Sequence, residues 1–245
     1  MAISIIDTDR QLTAAKLDQF WNAGIRSIGR YLNRRAPTHE KVVKPAEARL
    51  FAARGMRLFL IYEYDGKPNG SAIGSLDGEW ANNYAPSVGA PTDGSAFIAY
   101  TVDYDATERA MPGIRDAFTA FGKAVEPAFQ VWAYASGAVC SELSAAKLIT
   151  GRWLTMSGGF RGTRQAIAAG AFEMRQALDQ KIAGLDIDPN NMHEAGDLPG
   201  FIPFAAVAQS TEGPPRLSPA GYPEPPNKPS EGIVQRAEDE VKKIL

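Results

Sequence analysis

About eight short apolar runs, most of them separated by stretches of helical periodicity, constrain this 245-residue chain more than any other feature. The runs are Ile3–Asp7, Ile25–Leu32, Met56–Tyr62, Phe97–Asp103, Phe129–Tyr134, Trp153–Met156, Phe172–Gln180 and Leu185–Asp188. They are rich in β-branched and aromatic residues, a pattern that reads as strands. Between them, Leu12–Ala23, Pro45–Arg54, Ser71–Val88, Pro112–Val125, Val139–Ile149 and Thr163–Ala169 read as helices. Pro45 suits a first helical turn and Gly55 a helix stop. The alternation predicts an α/β chain, and the strand count favours a (β/α)8 TIM-like barrel, irregular in its last units. Periodicity does not by itself separate this from an open doubly wound sheet, but no glycine-rich phosphate loop supports the open sheet.

The predicted barrel occupies residues 1–195. Composition changes near Gly196, and Pro214–Pro229 is dense in Pro and Gly, so 196–230 reads as a Pro-rich extension or linker. Residues 231–245 read as a short charged amphipathic helix, too short to be stable alone, which predicts packing on the barrel or docking to a protein partner. The net charge of -2, with no basic run, argues against a nucleic-acid partner. No apolar run is long enough to cross a membrane. Met1 leads directly into Ile3-Ser4-Ile5-Ile6-Asp7 without a basic n-region or cleavage site. A Sec signal peptide is therefore not expected, and the reading is cytoplasmic or delivered to the cell wall by a non-Sec route.

Metal and thiol chemistry find little support. His39 and His193 are the only histidines, and Cys140, the single cysteine, reads as a small buried residue. Asp186-x-Asp188-x-Asn190 has the start of a calcium loop, but Asn191 replaces its turn glycine and Asp197 its bidentate glutamate. No metal or cofactor is expected.

Three predicted strand ends carry an Asp-x-Asp pair: Asp7 and Asp9, Asp103 and Asp105, Asp186 and Asp188. Residues i and i+2 of a strand point the same way, so each pair projects together where its strand leaves the core. A barrel gathers those ends at one mouth. Converging carboxylates suit glycoside hydrolysis, in which one acid stays protonated and another ionised. The alternative for each pair is helix capping, for which Asp is preferred. Tyr31, Tyr62, Tyr64, Tyr104, Trp132, Tyr134 and Trp153 also fall near predicted strand ends, where flat rings with a polar edge suit pyranose sugars, core packing being the alternative.

Several of these residues recur in an ordered set: Ile6-Asp7, Ile28-Gly29-Arg30-Tyr31-Leu32, Glu47, Val102-Asp103-Tyr104-Asp105, Tyr134-Ala135-Ser136-Gly137, Trp153-Leu154-Thr155, and Gln180 before Leu185-Asp186-Ile187-Asp188. This set resembles the bacterial glycoside-hydrolase-like domain of unknown function 1906, itself distantly similar to the glycoside hydrolase family 25 lysozymes, which are muramidases. The resemblance covers about residues 1–195. It implies a barrel with Asp7, Asp103, Asp105 and Asp186 as catalytic carboxylates, Asp105 standing where those lysozymes place a glutamate acid. Aspartate is one methylene shorter, so this is a departure from the pattern. Substrate contacts are expected from Arg30, Tyr31, Tyr62, Glu63, Tyr104, Trp132, Tyr134, Trp153, Gln180 and Asp188. The implied activity is hydrolysis of peptidoglycan or a related glycan. The alternative is a non-catalytic glycan-binding or structural barrel, part of a phage or secretion-related assembly.

Overall fold

In the computed structural model, which describes residues 3–34, 39–194 and 198–205, the apolar runs become the staves of a closed barrel. Strands β1 (Ile5–Asp7), β2 (Ser27–Leu32), β3 (Arg57–Tyr62), β4 (Phe97–Thr101), β5 (Gln130–Ala135), β6 (Gly151–Leu154) and β7 (Met174–Gln176) lie side by side in chain order, all parallel. Helices α1 (Ala14–Asn22), α2 (Pro45–Ala52), α3 (Ser71–Tyr84), α4 (Met111–Val125), α5 (Gly137–Ala145) and α6 (Thr163–Ala168) make the crossovers. This is the expected TIM-like barrel, with its irregularity at the end of the chain.

That irregularity has a local cause. The predicted strand Phe172–Gln180 is two strands, β7 and β8 (Gln180–Ile182), and β8 forms a hairpin with β9 (Leu185–Met192). The two-residue loop Ala183-Gly184 has positive φ at both positions, 52° and 78°, as a tight hairpin turn requires. So short a connection permits only an antiparallel neighbour. β9 therefore runs against β8, and it pairs antiparallel with both β7 and β1, closing the ring of eight. Asp186 and Asp188 consequently reach the mouth from the start of a reversed strand, not from the end of a parallel one.

Strand alternation divides the core into two layers. Ile5, Phe59, Ile61, Phe97, Ala99, Trp153 and Met174 fill the barrel interior. Ile6, Ile28, Leu60, Tyr62, Ile98 and Tyr100 pack outward against helices. The interior is tight enough to demand glycine at two staves: a Cβ on Gly29 would lie 2.4 Å from the Phe59 ring, and one on Gly151 2.1 Å from the Trp132 indole. At the opposite end from the mouth, Ser27 Oγ donates to Pro199 O at 2.7 Å and Phe201 bridges Leu58, so the first compact unit runs to Ala205. The Pro-rich stretch 214–229 and the helix expected at 231–245 lie outside the described residues.

Arg30 was expected at the mouth, but β2 turns it outward. It is fully buried between β2 and α2, with Nε 2.8 Å from Glu47 Oε1. It also donates to the carbonyls of Thr8 and Glu40, while the Leu12 amide donates to Glu47 at 3.1 Å. The pair ties the β1–α1 loop to α2, with all three guanidinium nitrogens hydrogen-bonded. Removing one member strands a buried charge, so Glu47→Ala should lower unfolding stability by about 3–5 kcal/mol. Chemical denaturation checks this, and Arg30→Met with Glu47→Leu should recover most of the loss.

Candidate active site at the barrel mouth

Where the strands end opposite Phe201, the barrel opens into a cleft of about 510 Å³, within the range of small-molecule sites. It is walled by Asp103 from β4's exit, Tyr134 from β5, Thr155 and Met156 after β6, Gln176 on β7 and Asp188 on β9. In strand order β4 and β9 stand on opposite sides of the ring, so Asp103 and Asp188 face the cleft from across it.

Beneath the opening lies Asp7, with 0% exposure. Its register partner is Asp188, and both side chains point inward, so two carboxylates are direct cross-strand neighbours. Asp7 Oδ1 accepts from the Tyr31 hydroxyl at 3.2 Å, and Oδ2 from Asn190 Nδ2 at 2.8 Å and Gln176 Nε2 at 3.3 Å. Each amide is itself held: Asn190 Oδ1 accepts from the Trp153 indole at 2.8 Å, and Gln176 Oε1 from the Tyr134 hydroxyl at 2.7 Å. Burial, then the Asp188 charge, push the Asp7 carboxyl up to about 7, against the pull of its three donors. Burial first, then Asp179, Asp9 and Asp103, also raise Asp188.

The expected site residues divide into three groups. Tyr31, Glu63, Asp103, Tyr134, Asp186 and Asp188 line the cleft. Asp186 does so as an exposed group, 3.3 Å from Lys181. Trp153 and Asp7 sit one layer below, joined through Asn190. The rest do not reach the cleft. Tyr62 faces the helices, its hydroxyl on Asp77 Oδ1 at 2.7 Å, because it has the outward parity of β3. Trp132 stacks on Phe97 at 4.0 Å, deeper in the interior. Gln180 is exposed on β8, outside the ring, and Tyr104 packs against the helix-side core.

Asp105 is placed away from the cleft as well. β4 ends at Thr101, two residues earlier than expected, and the chain turns before Asp105 can share the inward parity of Asp103. Its Oδ1 instead accepts the Arg161 amide at 2.8 Å.

Residues given no catalytic or substrate-contact role in the sequence reading also belong to the site. Lys41 reaches over the Tyr31 ring, 4.1 Å from its centroid, to Glu63 at 2.8 Å. Gln176 and Asn190 carry a readable signal, being the inward positions two after Met174 and Asp188. Asp179 and Phe160 sit in loops, where no periodicity marks them.

Residues 18–197 match the family described as Rv2525c-like, glycoside hydrolase-like domain. The chain belongs to that family. Among curated proteins it is similar to the uncharacterized protein YbfG of Bacillus subtilis (strain 168), 26% identical over 174 residues, which are 65% of this chain and 24% of that protein. The chain thus spans about a quarter of that relative's length. Among solved structures it resembles the Mycobacterium tuberculosis Tat-secreted protein Rv2525c in complex with L-tartrate, with a TM-score of 0.66 at 17% identity over 80% of this chain and 97% of that one. It also resembles the catalytic domain of endolysin ply40 from a Listeria monocytogenes bacteriophage, with a TM-score of 0.50 at 12% identity over 77% and 93%. At these identities the structural likenesses establish the fold. Among the described residues no helix is long and apolar enough to cross a membrane.

The Asp7 carboxyl, raised in the folded state, gives a signed pH effect. The unfolded chain releases its proton near the ordinary value of 3.8, the native chain near 7, so stability is full below about 4 and falls as pH rises to about 7. The slope from this one group is about 1.4 kcal/mol per pH unit across the interval. Asp7→Asn should flatten that part of the profile, which denaturation at pH 5 and pH 8 would measure. Asp188→Asn should lower the Asp7 titration midpoint, read by carboxyl 13C NMR.

Proposed function

We propose that this barrel hydrolyses peptidoglycan or a related glycan, with Asp188 as the proton donor and Asp103 as the carboxylate across the cleft. The observation that carries the reading is two carboxylates from opposite sides of the ring lining one open cleft. Membership of a glycoside-hydrolase-like family and the fold shared with an endolysin catalytic domain support it. Asp188 is half-buried and raised by burial and its acidic neighbours, the condition for a carboxyl that keeps its proton until it meets the leaving oxygen. Asp103, at the exposed side, takes the role of stabilising the oxocarbenium-like transition state, as nucleophile or as base toward water. Met156 and Phe160 offer apolar surface to a sugar face, and Tyr31 and Tyr134 offer hydroxyls to its edge. Asp7 holds Tyr31 and the Gln176–Tyr134 pair in place from below and does not itself touch the ligand. Asp105, bound to the Arg161 amide, takes no part in this mechanism.

A second reading, glycan binding without turnover, draws on that same diversion of Asp105, which stands where related lysozymes carry their acid. Incubation with purified peptidoglycan separates the two. New reducing ends are expected, and Asp103→Asn and Asp188→Asn should each slow their release by about 100-fold or more, while Asp105→Asn stays close to the wild type. Binding with no reducing ends at any pH would establish the second reading in its place.

A further inference from the structure

The cleft is far more acidic than the chain as a whole. Overall charge is nearly balanced, with 26 Lys and Arg against 28 Asp and Glu. Among the described residues, the cleft lining holds six acids and one cation, Lys41, and that lysine is already committed to Glu63 at 2.8 Å. Asp9 is 3.4 Å from Arg10 and Asp186 3.3 Å from Lys181, both at exposed positions. Asp103, Asp179 and Asp188 have no ion-pair partner among the described residues. Repulsion among these groups opposes folding, and a folded chain that keeps them together is matched to a ligand of opposite charge.

A second, independent feature points to a ligand at the same place. Thr155 lines the cleft with 2% exposure, yet its Oγ1 has no hydrogen-bond partner. A buried hydroxyl without a partner is costly, and a ligand polar group in the cleft would satisfy it. Thr155 continues the inward parity of Gly151 and Trp153 on β6, so its hydroxyl belongs to the cleft wall. On the same lining, Met156 is an exposed apolar side chain, at 42%, of the kind that covers a sugar face.

We infer that the cleft selects a cationic amino-sugar glycan, one whose hexosamine nitrogens are free ammonium groups, with Asp179 receiving an ammonium and the Thr155 hydroxyl bonding a sugar oxygen. This rests on the proposed glycan-binding reading and narrows its substrate class. An N-acetyl group is neutral and leaves the acids unpaired, whereas an ammonium converts each approach into a charge-assisted hydrogen bond. Discrimination arises from both terms, attraction for the amine and unmatched desolvated carboxylates for the amide.

Calorimetric titration of the full chain with glucosamine tetramer, N-acetylglucosamine tetramer and spermidine tests the inference. The free-amine tetramer should bind at least about tenfold more tightly than the acetylated one. Asp179→Asn should remove most of that preference while leaving the acetylated tetramer little changed. Thr155→Val should weaken both tetramers several-fold without lowering the melting temperature, because it removes an unpartnered hydroxyl at constant shape. Equal affinity for both tetramers would overturn the amine selection and leave the glycan-binding reading standing. Binding of neither tetramer would overturn both. Spermidine binding as tightly as the amine tetramer would show attraction to charge alone and overturn the amino-sugar assignment, and unchanged binding in Thr155→Val would remove the sugar contact.

Discussion

The reversed pairing of β9 against β1 is the constraint on which the rest of the site depends. A parallel eighth strand would need a crossover connection, whereas the Ala183-Gly184 turn delivers β9 directly and antiparallel. That register sets Asp188 opposite Asp7, and places Asn190, two residues on, where its amide meets the Asp7 carboxylate. Ring closure and the assembly of the buried carboxylate are thus one event. The same pairing eliminates the open edge that seven parallel strands would otherwise leave exposed.

From Asp7 the dependence spreads outward. A carboxylate with no exposure is tolerable only when its oxygens are hydrogen-bonded, and here the donors come from β2, β7 and β9. Those donors are fixed in turn by Trp153 and Tyr134, side chains on β6 and β5. Aromatic residues at the mouth therefore act mainly as struts that orient polar groups. A parallel device operates on the helix side, where Tyr62 and Tyr100 donate to Asp77 at 2.7 Å each and Arg34 approaches it at 2.9 Å. Burial keeps the Asp77 carboxyl raised despite these partners. The two networks occupy the two faces of the same sheet, one under the cleft and one under α3.

The acids of the cleft show how much of a site is legible before a fold is known. Asp103 and Asp188 were visible as strand-end acids, and the i, i+2 rule placed them facing a common centre. The same rule misplaced Asp105, because it assumes the strand continues, and β4 stops at Thr101. Parity also decided the aromatics: Tyr31 and Tyr134 are inward, Tyr62 outward, and a residue at a strand end carries no mark of which face its strand turns to the axis. Arg30 and Tyr31 are neighbours in the chain, yet one is sealed against α2 and the other lines the cleft.

What the amino-acid sequence determined by itself was the alternation of two periods, 2 and 3.6, together with the turn and cap residues that punctuate it. These are local properties of the backbone, so the alternating α/β class, most of the helices and the acids near strand ends follow from them. What only the tertiary structure decided was direction: which way the last strand runs, which face of each stave points inward, and which carboxylates share the cleft. Those choices depend on closure of the ring, a long-range pairing of residues nearly the whole domain apart, and no local pattern records them.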